Sequence, residues 1–231
     1  MVAPVKVQSA SEGASGSGIG QNIALPAPAA AGNLLVLVFG FRNVLYTANT
    51  IPGWTRVGYS HTAPASLDSD SVGVWCKIAA GGEQVIDWTG IKWSSQDPAS
   101  GVVAEFSGFP AAIAGVDVAG ANHSGAVATL PALTPTLPGA PGVLVRADWK
   151  KTTLPNPGPM TLAGWSLLGD SGYVGSGNLH RLSVWYLGAD LAAIYPALAR
   201  STSGVGGDTG VVLTAAAYGL PPVAGVVPRF W

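Results

Sequence analysis

The chain carries the same series of landmarks twice, at offsets of 110–112 residues. Gly32-Asn33-Leu34-Leu35-Val36 recurs as Gly142-Val143-Leu144-Val145, Gly53-Trp54 as Gly164-Trp165, and Val74-Trp75 as Val184-Trp185. Gly108-Phe109-Pro110 answers to Gly219-Leu220-Pro221, and Leu25-Pro26 to Leu137-Pro138. A series kept in order at near-constant spacing marks a repeated structural unit, so residues 20–115 and 130–225 read as two copies of one β unit.

Each copy has the same plan. An apolar run, 33–41 or 142–149, leads through a Gly-Trp turn into a second strand, Trp54 to Tyr59 or Trp165 to Leu168. An alternating strand follows, 72–78 or 182–187, and a last strand closes each copy, Gly101 to Phe106 or Gly210 to Tyr218. Residues 84–88 add a short strand to the first copy. In 72–78 the alternation puts Val72, Val74, Cys76 and Ile78 on one face and Trp75 and Lys77 on the other. With 32 Gly and 18 Pro dividing the chain into short runs, long helices have no room. The expected fold is all-β, a jelly-roll-like β-sandwich built from two pseudo-repeated halves. Residues 1–20 read as a flexible N-terminal arm and 21–231 as the single sandwich, with 117–136 as the connection between halves. Two small sandwiches in tandem are the alternative.

Composition narrows the function classes. Hydrophobic residues make up 48% of the chain and charged residues 10%, against roughly 25% charged in ordinary soluble domains. Eleven Lys and Arg against twelve Asp and Glu give a net charge of -1, so no basic surface is available for a phosphate backbone or an anionic membrane. Cys76 is the single cysteine, which excludes an internal disulfide and a multi-thiolate zinc site. The uncharged stretches 23–41 and 209–228 approach membrane-spanning length, but Pro and Gly interrupt both, and no membrane insertion is expected. The start of the chain has no basic segment followed by an apolar one, so assembly in the cytoplasm is expected.

Motifs for chemistry are sparse. No Gly-x-Ser-x-Gly elbow occurs, and His61, His123 and His180 lack the close spacing of metal or catalytic pairs and read as surface residues. Asp68-Ser69-Asp70-Ser71 begins like a calcium loop but runs directly into Val72-Gly73, so it reads as a solvated turn. The Gly/Ser run 15–20 has no following helix to make a phosphate cradle, and Asn122-His123-Ser124 matches a glycosylation triplet without a secretory signal. Glu83, Asp87 and Glu105 are the acids that a glycosidase pair would draw on, with no spacing that selects a pair. Enzymatic activity, cofactors and metals are therefore not expected.

The eight tryptophans remain. Trp54, Trp165, Trp75 and Trp185 occupy repeated positions and read as core plugs. Trp88, Trp93 and Trp149 lie near strand ends and are the candidates for glycan or receptor contact. The closing Phe230-Trp231 pair is costly to leave in water and is the candidate for subunit contact.

The order Gly32-Asn33-Leu34-Leu35-Val36-Leu37-Val38, Ile51-Pro52-Gly53-Trp54-Thr55-Arg56-Val57, Val74-Trp75-Cys76-Lys77-Ile78-Ala79 and Ala104-Glu105-Phe106-Ser107-Gly108 resembles a β-sandwich module in virion proteins of tailed bacteriophages, often called minor tail proteins. The Ala/Gly-rich composition is similar to that of phages of actinobacterial hosts. The likeness covers the first copy to about residue 125 and the second only through its Gly, Trp and Val-Trp landmarks. It implies a structural subunit of a virion at the tail tip or tail periphery, in contact with other virion proteins and with copies of itself, and able to meet a host cell-surface glycan. Capsid decoration is the alternative within that class, and a carbohydrate-binding module is the alternative outside it. Nucleic acid is not an expected partner.

Overall fold

The computed structural model describes residues 4–14, 22–42, 51–61, 70–87, 99–109, 113–153, 162–175, 178–192 and 194–215. They contain strands and no helix. In chain order these are β1 (Val5–Ala14), β2 (Asn22–Ala24), β3 (Leu34–Arg42), β4 (Thr55–His61), β5 (Asp70–Ile78), β6 (Val85–Asp87), β7 (Ala99–Ser107), β8 (Ile113–Leu130), β9 (Pro141–Thr153), β10 (Ser166–Gly175), β11 (Asn178–Asp190) and β12 (Leu198–Ala215). No helix among the described residues is long and apolar enough to cross a membrane.

Two five-stranded antiparallel sheets face each other, ordered β1-β7-β3-β5-β4 and β8-β12-β9-β11-β10, with β2 and β6 forming a small third sheet. The chain is thus all-β with two packed sheets, as expected. Its path is not that of a jelly roll, because each large sheet comes from one contiguous half of the chain. Setting β2 and β6 aside and numbering strands within each half, both sheets follow the order first, fifth, second, fourth, third.

Local geometry agrees with some landmarks and shifts others. Gly53 and Gly164 adopt φ of 77° and 80°, a region open mainly to glycine. In each of these turns the tryptophan N–H returns to the carbonyl three residues back, Trp54 to Ile51 and Trp165 to Leu162, both at 3.0 Å. β4 and β10 each carry a register shift just beyond the turn, between Arg56 and Gly58 and between Leu167 and Gly169, and there Trp75 and Trp185 stand opposite Arg56 and Leu167. Gly32, by contrast, corresponds to Gly139 and not to Gly142. Gly32 donates to Ala79 O and Gly139 to Leu191 O, whereas Gly142 lies inside β9 against Leu191. Leu137 closes that turn as Ala30 does in the first half, so it does not match Leu25. The Gly108/Gly219 landmark reaches outside the described residues.

Two expected loops are strands. Val5–Ala14, read as part of a flexible arm, pairs along β7 as an edge strand. The segment 117–136, read as a connection, lies mostly in β8, which pairs along the whole of β12. Both stretches are rich in Ser, Gly and Ala and lack a strong apolar alternation. What makes them strands is a neighbour's unpaired backbone, which needs hydrogen-bonding partners whatever the side chains are.

The principal core lies between the sheets. Leu34, Val36 and Val38 of β3, Val72, Val74 and Cys76 of β5, and Val102, Ala104 and Phe106 of β7 meet Val143, Val145, Ala147 and Trp149 of β9 and Leu182 and Val184 of β11. One continuous cluster therefore draws on both halves. Burial pushes the Cys76 thiol up to about 12, leaving it protonated and inert at neutral pH. The opposite face of the first sheet is covered as well. Leu35, Leu37, Phe39, Phe41, Trp75 and Val103 pack under Ile23 and Ile86 of the small β2-β6 sheet and under Leu25 and Ala29. Strands buried on both faces read as continuous apolar runs, which is why Leu34–Phe39 shows no alternation.

Candidate functional site

Charged groups on so apolar a chain must be held by specific partners, and those that also border open space mark the site. Glu105 of β7 is 1% exposed and accepts from Gln8 Nε2 at 2.6 Å, Ala30 N–H at 2.8 Å and Asn33 Nδ2 at 2.5 Å. Gln8 in turn donates to Ala27 O and accepts from Ala27 N–H, both at 2.9 Å. Burial alone would raise the Glu105 pKa, but these donors outweigh it and hold the carboxyl below its ordinary range. The carboxylate therefore ties edge strand β1 to β7 and to the 25–33 segment. Glu105→Ala is expected to cost about 2 kcal/mol at neutral pH by leaving buried donors unmatched, read by urea denaturation. Because the folded pKa is depressed, this stabilisation is present above the unfolded value near 4.5 and lost as the pH falls through the lower folded value, so wild type and variant converge in acid.

The outer face of the second sheet holds a buried charged ladder. Arg146, Asp148 and Lys150 alternate along β9 and stand opposite Trp185, Ser183 and Arg181 of β11. Arg181 grips Asp170 of β10 through two guanidinium N–H groups, Nε–H to Oδ1 at 2.6 Å and Nη2–H to Oδ2, and Ser183 donates to the same Oδ1 at 2.8 Å. Arg146 donates to Pro196 O at 2.8 Å and lies over the Trp165 ring at 4.9 Å. Asp117 accepts from the Thr136 N–H at 2.8 Å and from its hydroxyl. These groups tie strands and loops to one another.

Lys77 and Glu83 differ, because they border open space. Lys77 Nζ lies 2.8 Å from Glu83 Oε1 and 5.6 Å from the Trp54 ring centroid, within cation–π range. Glu83 also accepts the N–H groups of Ala80 and Gly81 at 2.9 and 2.8 Å, across a turn in which Gly81 and Gly82 take φ of 100° and 91°. Burial works against its ionisation, but Lys77 and the backbone donors at Ala80, Gly81 and Glu83 itself win, lowering its pKa to about 2. Pro52, Trp54, Lys77, Glu83, Val85, Ile86 and Asp87 line a cavity of about 270 Å³.

No protein-family model, curated protein or solved structure matches the chain.

Trp149, expected at a strand end as a glycan contact, is 0% exposed in the core between the sheets, its ring 5.7 Å from that of His180. A Cβ on Gly40 of the facing β3 would stand 2.6 Å from Trp149 Cδ2, so the indole occupies the space that glycine leaves. Trp149 is a core residue because β9 extends to Thr153, carrying the expected strand end deep into the sheet. His180, expected at the surface, is buried beside it on the inward face of β11. Trp88, Trp93, Phe230 and Trp231 lie outside the described residues, as do the side chains of His61 and His123. Ser71, expected in a solvated turn, is buried and accepts the Tyr59 hydroxyl at 2.9 Å. Trp75 and Trp185 are buried plugs, while Trp54 and Trp165 are half-buried at the margins. Of the three acids considered together, Glu83 and Asp87 line one cavity and Glu105 does not. Among the described residues no cluster of three or more His, Cys, Asp or Glu is placed to hold a metal ion.

Sequence reasoning missed Trp54 with Lys77. A signal was present: at the offset that aligns Trp75 with Trp185, Lys77 aligns with Leu187. A charge in one copy replaces an apolar residue in the other, beside the same Gly-Trp turn.

Proposed function

We propose that this chain is a non-enzymatic β-sandwich subunit of a tailed-phage virion, of the minor tail type, which acts through contacts with neighbouring subunits and with the host surface. Capsid decoration is the variant of the same role. The observation that carries the subunit role is the edge strand β8, because the matching edge strand β1 carries Lys6 and Glu12 and follows Pro4. β1 and β8 occupy the same outermost place in their sheets, and they expose Val5 at 57%, Val7 at 52% and Val118 at 40%. Free-standing proteins guard such edges with charges, proline or short length. β8 runs for 18 residues with Asp117 as its sole acid and no Lys or Arg. The charged groups described above support the same reading, since most of them bind strands and loops together. The virion assignment itself rests on the sequence resemblance.

Sedimentation velocity tests the proposal. Wild type is expected as a homo-oligomer, and Val7→Lys with Val118→Lys is expected to shift it to monomer at unchanged Tm. An antibody to the chain is expected to label the tails of purified phage particles. A wild-type chain that stays monomeric at its highest soluble concentration, together with unlabelled particles, overturns the reading.

A further inference from the structure

We propose that the cavity at Trp54 is a binding site for one neutral sugar ring, the terminal residue of a surface glycan. This deepens the host-surface part of the function proposed above and does not depend on the subunit contacts.

The second half of the chain contains the counterpart of this site. Trp165 follows the same turn as Trp54, with Leu162 in the place of Ile51 and Trp185 in the place of Trp75. There the indole is half-buried like Trp54, and Arg146 of β9 lies over its ring at 4.9 Å. Trp165 and Leu187 both pack on the cluster of Leu133, Leu144 and Leu191, and the Tyr195 ring meets the indole edge-on at 6.4 Å and 71°. Tyr195 is held by paired backbone bonds with Leu133, at 2.9 and 2.7 Å. In the first half Glu83 follows Ala79 by four residues as Tyr195 follows Leu191, and it accepts the Ala29 N–H at its carbonyl at 2.7 Å. Lys77 and Glu83 thus stand where Leu187 and Tyr195 close the second copy. The second half fills this place with an aromatic ring and an aliphatic side chain and brings its cation, Arg146, to the indole from β9, so the Lys77–Glu83 pair bordering open space is particular to the first half.

The lining selects the ligand class by charge complementarity. An anion entering the cavity meets Glu83 and Asp87, and a cation meets Lys77. A wholly apolar ligand would strip water from all three without replacing its hydrogen bonds. A polyhydroxylated ring suits both signs, because each hydroxyl can donate to a carboxylate or accept from an ammonium. Its C–H face can lie against an indole, an arrangement in which apolar contact and the π face act together. The volume, about 270 Å³, falls just below the range of roughly 300–1,000 Å³ typical of drug-sized ligands, which fits a single ring. The polar groups are also fixed in advance. Glu83 is held by two backbone N–H groups and Lys77, and Lys77 is held by Glu83 and Trp54. Less ordering entropy is then lost when a ligand binds.

Methyl glycosides of glucose, galactose and mannose, titrated into the full chain with ¹⁵N-indole NMR as readout, test the site. At least one is expected to give saturable shifts of an indole resonance that Trp54→Phe removes. Lys77→Leu, which copies the residue of the second half, is expected to weaken binding roughly tenfold, about 1.4 kcal/mol, while leaving the Tm unchanged or raised. Glucuronate and glucosamine are expected to bind more weakly than the neutral sugars. The proposal is overturned by no saturable shift with any of the three glycosides. It is equally overturned by binding that survives Lys77→Leu with Trp54→Ala, or by preference for adenosine as a flat aromatic ring. Failure here with an intact oligomer removes the sugar site and leaves the subunit role standing; binding by a strict monomer does the reverse.

Discussion

Trp149→Ala is expected to destabilise the protein by about 3–5 kcal/mol and to lower its Tm by roughly 10 °C, given the 2–4 °C per kcal/mol usual at this size. The ring is fully buried between the two sheets, where it packs in the same cluster as Val36, Val38 and Leu182 and beside the His180 ring. Truncation opens a void that strands hydrogen-bonded on both sides cannot collapse to fill. The Gly40 contact supplies an internal control. Gly40→Ala puts a methyl group into the indole and is expected to cost about 1–3 kcal/mol by overpacking. In a Trp149→Leu background the same change meets a smaller side chain, so the two substitutions should be strongly non-additive. Urea denaturation of the four proteins in this cycle measures the coupling. Additive effects, or a Trp149→Ala variant as stable as wild type, would remove Trp149 from the core and restore it as a candidate for surface contact.

Asp170→Ala is expected to be comparably damaging, about 3–5 kcal/mol. Arg181 is 4% exposed, and the Asp170 carboxylate takes two of its N–H groups while also accepting from Ser183. Losing the carboxylate leaves a guanidinium in a poorly hydrated layer, with Lys150 directly across the strand pair as a second positive charge. The cost of one missing partner exceeds the net worth of the pair, because the remaining charge keeps its desolvation penalty. The double variant Asp170→Leu with Arg181→Met is therefore expected to recover most of the loss. Thermal unfolding of the single and double variants decides this, and a double variant less stable than Asp170→Ala would show that the pair matters by its attraction and not by mutual neutralisation.

The residues differ in how far they declared themselves in sequence. The inward faces of β5 and β11 follow from period-two alternation, since Val72, Val74 and Cys76 recur with the pleat. The Gly-Trp turns were legible because a positive φ demands glycine, and the tryptophan that follows repeats at a constant offset. β1 and β8 were not legible. Their pairing is decided by backbone groups on β7 and β12, which no side-chain pattern reports. Trp149 and His180 were misplaced for a related reason: β9 and β11 run past the apolar stretch that marks them, and the polar ends are buried because a facing sheet lies over them.

The candidate cavity shows the same division. Glu83 and Asp87 stood out as acids in a chain with few of them, whereas the contrast of Lys77 with Leu187 at the repeat spacing was a signal left unread. Neither pattern could place them beside Trp54, because that requires the turn between β5 and β6 to fold back over the Gly-Trp turn, a relation between segments about 30 residues apart. Local chemistry, which acts over a few bonds, therefore determined from sequence the all-β class, the turns and the inward faces. Only tertiary structure decided the edge strands, the depth of Trp149 and the open indole, since burial and close approach depend on which distant segments come together.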